Sequence, residues 1–155
     1  MNDAERSQAA QHAGRVLEFL GGDVEAARFV DGLFFISQVW DDLVDRDREV
    51  DPEDVSRAFW LALAELPGNG FYARHRQELL PLVRMAMADW LDATALERGT
   101  AHERTVAFTL RDNLAAVVTA CAYIKGGYTW MRKVSPEIRR MIHDETLGSY
   151  LKGLK

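Results

Sequence analysis

The chain has 155 residues and a mass of 17.5 kDa, with 48% apolar and 28% charged residues, which excludes a disordered polypeptide and leaves room for one compact domain. A lone Cys121 excludes an internal disulfide and a cysteine-built zinc site, and it suits a reducing, cytoplasmic setting. The net charge of −5 divides into −9 over residues 1–66, zero over 67–124 and +4 over 125–155, and so acidic an N-terminal half argues against nucleic acid as a partner.

Helix punctuation recurs along the chain and strand signals are scarce. The opening Met1-Asn2-Asp3-Ala4-Glu5 is polar and partly acidic, unlike a secretory signal or a transit peptide. A first helix is predicted over about Ala4 to Leu20, ended by Gly21-Gly22. Asp23 is placed to cap a long second helix through about Asp45. Asp51-Pro52-Glu53-Asp54 opens a third, with a cap, a proline at the first helical position and acids at the positive end of the dipole. It runs to about Leu66 and stops at Pro67-Gly68-Asn69-Gly70. A fourth covers Tyr72 to Glu97, bent by Pro81 and ended at Gly99. Thr100 caps a fifth, with Glu103 at capping-box spacing, and this helix ends at Gly126-Gly127. Its apolar run from Leu114 to Ile124 is too short to cross a bilayer, so no membrane partner is expected. Ser135-Pro136-Glu137 opens a sixth that runs toward Tyr150. The prediction is an all-α, single-domain bundle of about six helices spanning residues 1–155.

The second helix carries the sharpest pattern. Phe29, Leu33, Ile36, Trp40 and Leu43 fall in a stripe about 80° wide, and Val30, Phe34, Phe35 and Val39 cover much of the remaining circumference. Such a helix is expected to be central, with neighbours on most sides. Its last turns change to Trp40-Asp41-Asp42-Leu43-Val44-Asp45. Asp41 and Asp45 share a face, with Gln38 and Phe34 one turn back, and Asp42 points about 100° away. Acids at the negative end of a helix dipole cost about 0.3–1 kcal/mol each, a conflict that a divalent cation would remove. Mg²⁺ binds through one or two carboxylates and completes its shell with water and substrate phosphates, so the cluster suits Mg²⁺ held against a diphosphate. The alternative is a solvated acidic loop, since Asp41 to Asp54 holds eight acids that Arg46 and Arg48 partly neutralise.

The segment Val39-Trp40-Asp41-Asp42-Leu43-Val44-Asp45 resembles the first aspartate-rich motif of the class I isoprenoid synthases, an all-α family, and the corresponding motif of their phytoene and squalene branch. The resemblance implies a reduced isoprenoid-synthase-like bundle with Asp41 and Asp45 as Mg²⁺ ligands and Asp42 in support. Phe34, Phe35, Gln38 and Trp40, with Arg111 from the fifth helix, would form the ligand pocket. In that family a metal-held diphosphate ionises to an allylic carbocation, which aromatic walls stabilise. The nearest counterpart of the family's second metal motif is Asp144 to Lys152, with Lys152 where the family has an acid. Arg111-Asp112-Asn113 resembles a second motif of the squalene branch without its following acids.

Two further readings compete. Asp89 and Asp92 flank Trp90 at i, i+3 and form an alternative metal pair. Taken with Asp41, Asp42 and Asp45 they resemble the acidic pattern of the all-α nucleoside-triphosphate pyrophosphohydrolases. Otherwise they are the solvent side of an amphipathic helix, balanced by Arg84 or Arg98. Arg111, if buried, needs an acid, and Asp41, Asp45 or Asp89 are the partners open to it, which would give an ion-pair network with no metal. The third reading is a non-catalytic helical interaction protein. Its acidic and basic ends would meet across a homodimer, and Trp60, Leu63 and Leu66 on the third helix would await a partner. His12, His75, His102 and His143 stand at no metal-ligand spacing, and Cys121 in its apolar helix reads as core.

Overall fold

The computed structural model describes residues 3–46 and 49–154, with side chains from residue 11 onward. Every element among them is helical, in the order α1 (Asp3–Phe19), α2 (Val24–Asp45), α3 (Pro52–Trp60), a π-helical turn (Leu61–Glu65), α4 (Leu66–Gly68), α5 (Gly70–Leu96), α6 (Ala101–Leu110), α7 (Ala115–Ile142) and α8 (Leu147–Gly153). Five of these described helices reach ten residues, α1, α2, α5, α6 and α7, against the six expected. No described helix is long and apolar enough to cross a membrane. The chain forms two compact units, Met1–Arg76 and Gln77–Lys155.

In the first unit the predicted punctuation sets the turns. Gly21 and Gly22 close α1, their N–H groups donating to the carbonyls of Glu18 and Leu17 at 3.0 and 2.9 Å, the paired bonds of a Schellman end. Asp23 caps α2 by accepting from the Ala26 N–H at 3.0 Å, so α2 doubles back on α1. Val16, Leu20, Ala26, Phe29, Val30 and Phe71 are almost wholly buried. Asp51 caps α3 and Pro52 begins it, as expected. The third helix is not uniform, however, because it widens into a π turn at Leu61–Glu65, with the Leu66 N–H donating to the Leu61 carbonyl five residues back. Pro67 lacks an N–H and crowds the preceding turn, which disfavours a regular α ladder there. The wider turn brings residues five apart onto one side, and the Trp60 indole N–H donates to Glu65 at 3.0 Å. Leu66, expected on an exposed stripe, is instead buried, with Gly32 of α2 leaving the space it fills.

The second unit corrects two boundaries. The fifth helix is two helices, α6 and α7, parted at Arg111–Leu114. Asp112 and Asn113 have side chains that compete with the helical backbone, and the Asp112 carboxylate is engaged by Arg139 of α7. The capping box that opens α6 forms as predicted, with Thr100 and Glu103 bonded reciprocally. The backbone N–H of Thr100 holds the Glu103 carboxyl below its usual range. Ser135-Pro136 does not start a helix; it lies within α7, whose second run begins just after Gly127. Burial of Val134 and Ile138 at i, i+4 outweighs the hydrogen bond that Pro136 forfeits. Pro81 lies inside α5, and the backbone leaves helical geometry at His75 (φ −113°, ψ 18°), whose ring packs on Phe71 at 5.0 Å. Cys121 is core as expected, and burial pushes its thiol up to about 12.

Gly126-Gly127 ends the first helical run of α7, as expected, and a second run follows it directly. Gly127 has φ 72° and ψ −170°, a region essentially closed to other residues, and a Cβ on Gly126 would lie 2.5 Å from the Trp130 side chain. Gly127→Ala is therefore expected to cost about 1–3 kcal/mol in urea unfolding. An unchanged midpoint would mean that the kink relaxes into continuous helix.

Candidate functional site

The end of the α2–α3 hairpin carries the most distinctive surface of the first unit. Ile36, Val39, Trp40 and Leu43 lie at 0, 3, 4 and 7 along α2, and Val55, Ala58, Phe59 and Ala62 repeat that spacing along α3 and the π turn. Each set is one helical face, and the two face each other across an apolar groove of about 180 Å³. Val39 and Ala58 are buried in it, whereas Leu43 and Phe59 remain 46% and 62% exposed. Trp60 and Leu63, beside the groove on α3 and the π turn, are 64% and 76% exposed. The apolar stripe of α2 thus divides. Phe29, at its start, stacks on Tyr72 with centroids 4.9 Å apart, while Ile36, Trp40 and Leu43 open into the groove. The expectation of a helix covered on most sides holds for the first half of α2 only.

The predicted pocket residues do not share this groove. Trp40 lines it. Phe34, Gln38, Asp41 and Asp45 stand roughly 150–170° round α2 from the groove's centre line. Phe34 packs edge-on against His12 of α1 at 5.0 Å, Gln38 is exposed, and Phe35 lies beneath the Arg57 guanidinium at 4.7 Å. Asp41 and Asp42 are half-buried and Asp45 is exposed. The shared face of Asp41 and Asp45 is what a cation bound through two carboxylates and water requires. Among the described residues no three His, Cys, Asp or Glu side chains gather into a group that could hold a metal. The groove also opens on the opposite side of α2, so a diphosphate on Asp41 and Asp45 would not direct an apolar chain into it.

Arg111 belongs to the second unit, where it pairs with Glu97, an acid the sequence reading did not single out. The guanidinium donates through Nε and Nη2 to one Glu97 carboxylate oxygen at 2.9 and 2.6 Å, with Arg111 19% and Glu97 12% exposed. The Tyr150 hydroxyl of α8 donates to the same oxygen. Burial first, then Glu97, pushes the Tyr150 phenol well above its usual range, which keeps it a donor. Trp90 lies 5.6 Å beneath the guanidinium, and Phe108 packs on both His143 and Tyr150. Asp89 and Asp92 flank Trp90 on α5, half-buried and exposed respectively. Of the segment that resembles a second metal motif, Asp144 and Glu145 are exposed, and Lys152 sits in the last turn of α8. The cluster that joins Glu97, Arg111 and Tyr150 has the character of a structural pin, because it ties the ends of α5, α6 and α8.

Sequence reasoning passed over Asp31, whose carboxyl is raised above the ordinary 3.8 by burial, against the pull of His12. A raised carboxyl means that the folded state binds the proton more tightly than the unfolded chain. Stability from this group therefore falls as pH rises from 3.8 through the raised value, and the full penalty stands at neutral pH. Asp31→Asn is expected to stabilise the protein at pH 7 by up to about 0.5 kcal/mol, since the site is half-exposed and screened, and to have no effect below pH 3.8. Equal effects at both pH values in thermal melts would refute this. The α3 side of the groove was also missed, although the spacing of Val55, Ala58, Phe59 and Ala62 is written in the sequence. Compared with protein-family models, curated proteins and solved structures, the chain matches none of them.

Proposed function

We propose that the protein is a non-catalytic helical interaction module that receives an apolar segment of a partner in the α2–α3 groove. The observation that carries this reading is the groove itself, lined only by Ile36, Val39, Trp40, Leu43, Val55, Ala58, Phe59 and Ala62. Leaving Phe59, Trp60 and Leu63 more than half exposed costs the isolated chain apolar hydration, and this is the signature of a surface completed by binding. Two facing stripes with small residues at Ala58 and Ala62 suit an amphipathic helix laid along the groove. The test is a panel of amphipathic helical peptides titrated by fluorescence anisotropy. Binders are expected to weaken about tenfold with Leu43→Ala or Phe59→Ala, as anchors at the centre of an interface do. Binders indifferent to both substitutions would refute the reading.

A second reading rests on the shared face of Asp41 and Asp45 and on the resemblance of Val39–Asp45 to the isoprenoid-synthase motif: Mg²⁺-dependent binding of a diphosphate at the end of α2. Calorimetric titration of pyrophosphate with and without Mg²⁺ decides it. Heat that requires Mg²⁺ and vanishes in Asp41→Asn/Asp45→Asn supports it, and silence in both proteins ends it.

A further inference from the structure

We infer that the protein pairs with a second copy of itself through the outer face of α5, the two α5 helices running antiparallel and crossing at Ala88. The inference goes beyond the α2–α3 groove and concerns residues of the second unit alone. At about 100° per residue, Leu79, Ala86, Trp90 and Ala93 share one side of α5, and all four are buried. The opposite side centres on Ala88, with Arg84 and Asp92 one turn to either side of it. On an amphipathic helix this side is polar. Here Met85, Met87 and Leu91 leave about half of their surface in water, so α5 carries a second apolar face.

The order of residues on that face fixes its partner. Ala88 is the midpoint between Arg84 and Asp92, between Met85 and Leu91, and between Pro81 and Ala95, and all six are exposed. A twofold axis beside Ala88 therefore sets each member of a pair against the other member on the second copy. Guanidinium meets carboxylate twice, and Met85 meets Leu91 twice. Arg84, Ala88 and Asp92 form one i, i+4 ridge, and packing of such ridges against each other is the commonest helix crossing. The small side chain of Ala88 lets the two backbones approach at its centre. Neither Arg84 nor Asp92 has an ion pair with another described residue, so both charges are open to a second chain. A parallel pair would set Arg84 against Arg84 and Asp92 against Asp92, which like-charge repulsion opposes. A foreign helix would have to reproduce this order, whereas a second copy carries it by symmetry.

The test is sedimentation of the full chain from about 1 to 100 μM. A dimer is expected. Arg84→Asp or Asp92→Arg alone should weaken it at least about tenfold, because each places like charges together at both ends of the crossing. Mixing the two variants should restore association as a heterodimer, since one then presents only acids at the two positions and the other only arginines. A variant that had merely lost its fold would gain nothing from mixing. Ala88→Glu should dissociate the dimer, and Phe59→Ala should leave it intact. A chain that stays monomeric at every concentration would overturn the inference. So would a dimer indifferent to Arg84→Asp and Asp92→Arg, or two variants that fail to associate when mixed. A dimer that Phe59→Ala dissociates and Ala88→Glu does not would move the contact to the groove, which also overturns it.

Discussion

Glu97→Ala is expected to lower the unfolding free energy by about 3–5 kcal/mol, read as the shift of the urea midpoint at pH 7. The size follows from what the substitution strands. Arg111 is 19% exposed, donates twice to one Glu97 oxygen, and rests above the Trp90 ring. Without the carboxylate, a guanidinium that does not deprotonate keeps its charge in a site that water barely reaches. The Tyr150 hydroxyl loses its acceptor in the same step. Tyr150→Phe removes only one hydrogen bond to a charged group and should cost less, about 1.5–3 kcal/mol. Glu97→Leu/Arg111→Met removes both charges and keeps the volume, so most of the loss should be recovered. If Glu97→Ala cost under about 1 kcal/mol, the pair would be behaving as a solvated surface bridge and the pin would not exist.

The pin also shows where sequence reasoning reached its limit. The sequence marks Arg111 as a charge in need of an acid, because Phe108, Leu110 and Leu114 surround it. Periodicity offers only helix-face aspartates as that acid. Glu97 lies just beyond the end of α5, and only the chain reversal at Gly99-Thr100 and the break at Arg111–Leu114 bring the two together. Caps were readable because each is a local bargain between a side chain and backbone groups two or three residues away, as at Asp23, Asp51 and Thr100. Breaks inside long apolar runs were not, because tertiary burial decides them: Pro136 is carried through α7 by Val134 and Ile138, and Leu66 is drawn inward by the space at Gly32. Asp41 and Asp45 share one face of α2, and Trp40 lines the groove on the other. Periodicity fixes which residues share a face of α2. It does not say which face a neighbour leaves open, and the groove opened opposite the aspartates.

The contrast between two phenylalanines carries the functional argument furthest. Phe29→Ala should cost about 3–5 kcal/mol, because the ring is 1% exposed, stacks on Tyr72 at 4.9 Å with planes 11° apart, and touches Phe71. Its removal leaves a cavity that the helix backbones cannot close. Phe59→Ala, at 62% exposure, should change the unfolding free energy by no more than about 0.5 kcal/mol. Both residues lie in apolar stripes at helical spacing, so composition and periodicity assign them the same role. Folding alone explains why the first is aromatic. It gives no reason for the second, whose ring faces a groove that stays open in the isolated chain. A side chain that contributes nothing to stability and about tenfold to peptide affinity would be a binding residue in the strict sense. If Phe59→Ala instead destabilised the fold as Phe29→Ala does, the groove would be part of the core, and the case for a docking surface would fall with it.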